Sequence, residues 1–161
     1  MSDGSSTTPP ASTTLLEALA DFRYQLRTFL HFSEQAAQQI HLHPQQHHLL
    51  LQIAGAPAGT VVSIAYAADR LGLRHHSAVE LVDRCVAEGL LRRTEDPADR
   101  RRVLLSITPK ARRTLNTLSE YHARELRELA PLLLRSLQQI QAIPISSAAA
   151  RPPASAVKRS K

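Results

Sequence analysis

A single cysteine, Cys85, occurs in the 161 residues, so no internal disulfide can form and nothing indicates an oxidising compartment. The opening "MSDGSSTTPPASTT" lacks the basic start and apolar stretch of a signal peptide. No Gly-rich phosphate loop, paired-carboxylate motif or nucleophile elbow is present, which leaves catalysis unsupported and implies no cofactor. Acidic residues are also scarce: fourteen Asp and Glu against twenty Lys and Arg give a net charge of +6. That balance favours anionic partners, either nucleic acid or an acidic membrane surface.

The one uncharged run of membrane-spanning length, Leu49 to Ala68, is interrupted by Gly55, Pro57 and Gly59 and continues into the β-branched "TVV". A proline between two glycines ends a helix, so this stretch reads as a helix, a turn and a second buried element, and no membrane span is expected. With 43% hydrophobic residues the chain is long enough for one domain with a core and short for two. A cytoplasmic protein is the simplest reading.

Residues 1–12, rich in Ser, Thr and Pro, read as a disordered tail, and residues 144–161 as a second, basic one carrying Arg151, Lys158, Arg159 and Lys161. Between them the pattern is mostly helical. Leu15, Leu16, Leu19, Phe22, Leu26, Phe29 and Leu30 recur at helical steps and mark a helix from about Thr14 to Ile40. Pro44 opens a second helix that the Gly-Pro-Gly turn ends. Ser63 caps a third, "IAYAADRL", which stops at Gly72, and a fourth runs from about His75 to Glu88. Past Gly89 the runs "LLRRTE" and "RVLLSIT" flank "DPADRR" as a hairpin. Thr108 and Pro109 then open a long helix whose apolar positions include Leu115, Leu118, Leu126, Leu129, Leu133, Leu137 and Ile140.

Helix, turn, helix and two-stranded ribbon together make a winged helix-turn-helix: mostly α, with a small β-hairpin and long flanking helices. In the fourth helix Ala78, Leu81, Val82 and Cys85 form one apolar stripe, which leaves His75, His76, Val79, Glu80, Asp83 and Arg84 on the opposite face. Such a face either meets base edges in a major groove or is a solvated surface. The wing favours the first. Asp96-Pro97 bends the ribbon, and Asp99, two residues before Arg101, is placed to brace a guanidinium at the tip of the run Arg100, Arg101 and Arg102. An arginine held there can enter a narrow minor groove.

From Leu71 onward the segments Val82-Asp83-Arg84, Gly89-Leu90, Asp99-Arg100-Arg101 and Ile107-Thr108 resemble the recognition helix and wing of the MarR family of winged-helix transcriptional regulators, and the resemblance extends over roughly residues 14–140. It implies one domain over 13–143, with a DNA-binding lobe at about 44–108 and dimerisation helices at about 14–40 and 109–143. It implies a homodimer on a near-palindromic double-stranded DNA operator, acting as a repressor released by a small aromatic or phenolic ligand. By the same resemblance Arg101 is the minor-groove arginine, Asp99 its brace, and Ser77 a residue that touches backbone or bases. Val79 and Glu80 stand where the family often has polar or basic residues, and His75-His76 is an unusual helix start. Leucines along the last helix exceed what one winged helix covers, which supports a dimer independently.

The ligand crevice of such proteins would be lined here by Phe22, Tyr24, Phe29, Phe32, His47 and His48, which equally read as core. His41, His43, His47 and His48 have no acidic or thiol neighbour, so they read as solvated or pocket-lining side chains and no metal is expected. Cys85 lies on the apolar stripe and reads as a packed residue before an oxidant sensor. The alternative from another class is a winged-helix protein–protein module that does not bind DNA.

Overall fold

The computed structural model describes residues 14–144, and the expected tails lie, Pro144 apart, outside them. The elements are α1 (Leu15–Gln39), α2 (Pro44–Ala54), α3 (Ile64–Leu71), α4 (His75–Ala87), β1 (Leu91–Asp96), β2 (Asp99–Ile107) and α5 (Pro109–Ala142). This is the mostly helical winged helix-turn-helix that the sequence pattern predicts. The chain divides into two compact units, Arg27–Leu129 and the outer ends of α1 and α5, so the boundary falls inside both long helices. Among the described residues no helix is long and apolar enough to cross a membrane.

Local chemistry sets each helix boundary. Thr14 and Glu17 form a reciprocal capping box at the start of α1, with Thr14 N donating to Glu17 Oε2 at 2.7 Å and Glu17 N to Thr14 Oγ1 at 3.2 Å. At the other end His41 takes the left-handed conformation, φ 58°, and the Leu42 amide reaches back to the Ala37 carbonyl at 3.0 Å. His43 then caps α2: its Nδ1 accepts from the Gln45 amide at 3.2 Å, while Gln46 Oε1 accepts from the His43 amide at 3.1 Å. Ser63 caps α3 by accepting from the Tyr66 amide at 3.3 Å, and Gly72 ends that helix at φ 64°.

The core of the larger unit draws on every element within it. Leu49 and Leu50 of α2, Leu81 and Val82 of α4, and Leu118 of α5 are its largest fully buried aliphatic side chains. The stripe expected on α4, Ala78, Leu81, Val82 and Cys85, is buried. Burial at about 25 cal/mol per Å² of apolar surface makes that stripe the main force docking α4.

The ribbon differs from the sequence reading. "DPADRR" does not form a six-residue loop. Asp96 pairs with Asp99 across the two-residue turn Pro97-Ala98, while Glu95 pairs with Val103. Arg100, Arg101 and Arg102 therefore face no partner on β1 and bulge from the ladder. A second addition is the "TVV" segment, whose end behaves as a rudimentary third strand: the Leu105 amide donates to the Val62 carbonyl at 2.8 Å, and Ser63 bridges Leu104. In the smaller unit α5 continues through Pro131, and Ser136 Oγ donates back to the Leu132 carbonyl at 3.0 Å.

Thr108 joins the wing to the last helix. Its Oγ1 donates to the Gly89 carbonyl at 2.8 Å and accepts from the Ala111 amide at 3.2 Å, and its amide donates to the Leu90 carbonyl at 3.0 Å. Thr108→Ala removes a buried cap and leaves the Gly89 carbonyl short of a donor. It is expected to destabilise the protein by about 1–2 kcal/mol in urea unfolding, and an unchanged midpoint would count against this role.

Candidate nucleic-acid interface

The burial of its stripe orients α4 so that His75, His76, Glu80, Asp83 and Arg84 are exposed. Ser77 and Val79 flank Ala78 and are only half-exposed, at the edge of that face. Asp83 is not free: it pairs with Arg93 of β1 and ties the outer face of α4 to the wing. Gln46 fixes the far end of the helix, its Nε2 donating to Glu88 Oε1 at 2.8 Å, while Lys110 Nζ donates to the Glu88 carbonyl at 3.0 Å.

On the wing the arginines have different roles. Arg101 projects into solvent, its side chain 97% exposed. Asp99 Oδ1 accepts from the Arg101 backbone amide at 3.1 Å and stands 3.9 Å from its Nε, so Asp99 fixes the backbone more firmly than the guanidinium. Arg100 is exposed beside it. Arg102 is instead drawn inward, its Nε and Nη2 both donating to Asp96 Oδ2 at 2.6 Å. Asp96 is the brace that the sequence reading missed. Its Oδ1 also accepts from the Ala98 amide at 2.8 Å, closing an Asx turn at the neck of the bulge. The Ala98 N–H, and then the Arg102 guanidinium, hold its carboxyl below the usual carboxylate range. The Asp-Pro pair signalled the turn, but only the register of the ribbon brings Arg102 back to Asp96.

Four of the aromatic and histidine residues assigned to a ligand crevice converge in the larger unit. His47 and His48 lie 5.8 Å apart between ring centroids, and Phe29 and Phe32 stand edge-on at 5.9 and 6.0 Å to a ring the sequence reading omitted, His122. Phe32 borders a recess of about 170 Å³ with Ala36, Ile40 and Tyr121, whereas His48 borders one of about 350 Å³ with Gln52, Arg70 and Leu73. Phe22 belongs to the smaller unit, and Tyr24 is 66% exposed. Among the described residues no group of three or more potential ligands is placed to hold a metal ion. Cys85 is fully buried, and burial, then the Glu88 carboxylate, pushes its thiol up to about 12, so it is a neutral packing group near neutrality.

A helix-turn-helix whose second helix is exposed on one face, followed by an arginine-bearing ribbon, defines the winged-helix class. Residues 42–102 match the MarR family. The chain is similar to a MepR mutant from S. aureus bound to an oligodeoxyribonucleotide, with 17% identity and a TM-score of 0.58 over 75% of this chain and 88% of that one. It is similar also to the transcriptional regulator BldR from Sulfolobus solfataricus, with 25% identity and a TM-score of 0.56 over 78% and 93%. Apo MarR from E. coli aligns at 17% identity and a TM-score of 0.60 over 76% and 93%. No curated protein matches the chain in sequence. The match to the MarR family covers the helix-turn-helix and wing, and the fold of the described residues is the winged-helix fold of these similar structures.

Asp96→Asn keeps an acceptor for the Ala98 amide but removes the charge that holds Arg102. The variant is expected to remain folded, with faster hydrogen exchange at Ala98 and across the arginine bulge. Because the folded carboxyl titrates below its unfolded value of about 3.9, the native staple is complete above that pH and is lost as pH falls through the lowered value. Equal exchange in both proteins at neutral pH would show that Asp96 is not the staple.

Proposed function

We propose that the chain is a cytoplasmic DNA-binding regulator that acts as a two-fold dimer on a near-palindromic operator, with binding rather than catalysis as its activity. The observation that carries this reading is Arg101, nearly fully exposed on a ribbon whose backbone is pinned by Asp96 and Asp99. In this reading the segment at about 44–108 is the DNA-binding lobe. His75, His76, Ser77, Val79, Glu80 and Arg84 face a major groove, while Arg100 and Arg101 meet the adjacent backbone and minor groove. Arg102 shapes the wing through Asp96. The oligodeoxyribonucleotide bound by the similar MepR mutant supports the same use of the fold.

The helices at about 14–40 and 109–143 serve as the dimer-forming part. Support comes from apolar side chains left open along them: Leu16 is 79% exposed and Leu134 58%, with Leu19, Leu26, Leu132 and Leu137 also exposed. Sedimentation at micromolar concentration is expected to give twice the 17.8 kDa chain mass, and a concentration-independent monomer would remove this part of the proposal. Repression released by a small aromatic ligand completes the reading, with the recess beside Phe32 and Tyr121 as its apolar site.

Arg101→Ala is expected to weaken every operator variant alike and to lower the salt slope of binding by about one unit, as loss of one phosphate-neutralising cation should. Arg84→Ala is expected to cost about 1–3 kcal/mol at one base pair and little elsewhere. Asp99→Ala should weaken binding less than Arg101→Ala. Isotherms at several salt concentrations distinguish them; unchanged affinity in Arg101→Ala would take the wing out of the mechanism, and affinity for duplex DNA indifferent to salt would favour a protein–protein module.

A further inference from the structure

Two imidazoles are packed against each other where no charge is readily stabilised. His47 of α2 is 2% exposed and His122 of α5 is 9% exposed, with their ring centroids 5.0 Å apart. His47 Nδ1 and His122 Nε2 are both buried, and neither has a hydrogen-bond partner among the described residues. Three elements surround the pair. From α1, Phe29 and Phe32 present ring edges to His122, and the Ser33 backbone carbonyl accepts its other ring N–H. From α2 the facing titratable group is His48, 5.8 Å from His47. From α5 it is His122 itself. The ionisable groups acting on these two rings are thus other imidazoles, and none is a carboxylate that could stabilise a positive charge.

We propose that the His47–His122 pair is an acid-sensitive latch between α2 and α5, closed while both rings are neutral and opened by protonation, which loosens the seating of α4 and weakens DNA binding. This regulation rests on the DNA-binding reading above. The path to α4 is short. Gln46, beside His47 and itself buried, holds Glu88 at the end of α4 and caps the start of α2 through the His43 amide. Any displacement of the first turn of α2 therefore pulls on the end of the recognition helix.

The direction of the effect follows from linkage. Burial first, then His122 and His48, lower the His47 ring to about 4, and burial also lowers His122. The closed arrangement thus binds fewer protons than an opened one, in which His47 returns to about 6.5. Closure is fully favoured above about pH 6.5 and is progressively lost as pH falls toward 4. Between about pH 7.5 and pH 5.5, His47 alone shifts the balance toward the open form by about tenfold.

The test uses the full chain, His47→Gln and His122→Phe, with two measurements at about pH 7.5 and about pH 5.5. The first is hydrogen exchange corrected for the intrinsic rate. Wild type should exchange up to about tenfold faster at the acid pH in the first turn of α2 and the last turn of α4, and both variants should lose that response. The second is anisotropy with a labelled duplex taken from upstream of the gene. Wild type should lose more affinity on acidification than either variant. Binding at neutral pH with the same acid response in all three proteins overturns the latch and leaves the DNA reading intact. Absence of duplex binding at every pH overturns the DNA reading, and the exchange data then decide the latch alone. Should both variants fail to fold, titration of the wild-type His47 ring protons decides: a midpoint near the ordinary 6.5 overturns the proposal, and one displaced well below it supports it.

Discussion

The exposed face of α4 has a defined orientation only because its other face is buried, and the rest of the structure is arranged around that docking. Ala78, Leu81, Val82 and Cys85 lie on one side of the helix at the spacing that a straight α-helix keeps in register. Apolar burial is non-directional, however, and would tolerate some sliding along the stripe. The polar ties remove that freedom. Gln46 and Lys110 hold Glu88 at one end, and Asp83 clasps Arg93 of β1 partway along. Hydrophobic contact supplies the affinity of α4 for the body, and these directional bonds supply its register.

The wing meets a different difficulty, three adjacent cations on a two-stranded ribbon. In a regular ladder they would alternate between faces and face residues of β1. Instead the ladder omits them: Asp96 meets Asp99, Glu95 meets Val103, and the arginines bulge. The two aspartates then do separate work. Asp96 neutralises Arg102 and closes the turn, whereas Asp99 fixes the backbone under Arg101 while leaving that guanidinium in solvent. One arginine supports the tip, and another stands in solvent.

What the sequence made legible was governed by short-range rules. Helix boundaries followed from Pro44, Ser63, Gly72, Thr108 and Pro109, because caps and proline act within a turn of themselves. The α4 stripe followed from periodicity. What escaped the reading depended on chain geometry. Asp96 and Arg102 meet only because an intervening bulge returns the strand to its neck, and the strand-like end of "TVV" requires a partner in β2. His122 had no marker at all: on α5 it looks like one more polar position, and its burial beside His47 depends on how two distant helices pack. Among the site residues, Arg101 and Arg102 read alike in the sequence, whereas the fold leaves Arg101 in solvent and pairs Arg102 with Asp96.

The histidines show why residue type alone could not settle these assignments. His41 accepts the left-handed conformation that ends α1, His43 uses its ring as an N-cap, and His75 and His76 stand in solvent at the start of α4. His47 differs from all of them in being buried, with other imidazoles as the ionisable groups acting on its ring. An imidazole in that setting is stable only as the neutral ring, so the packing of α2 against α5 is conditional on protonation in a way that leucine packing could never be. The same position filled by an aliphatic residue would make a stronger core. Keeping a titratable ring there makes the stability of that packing a function of pH across the range in which histidine ordinarily changes charge.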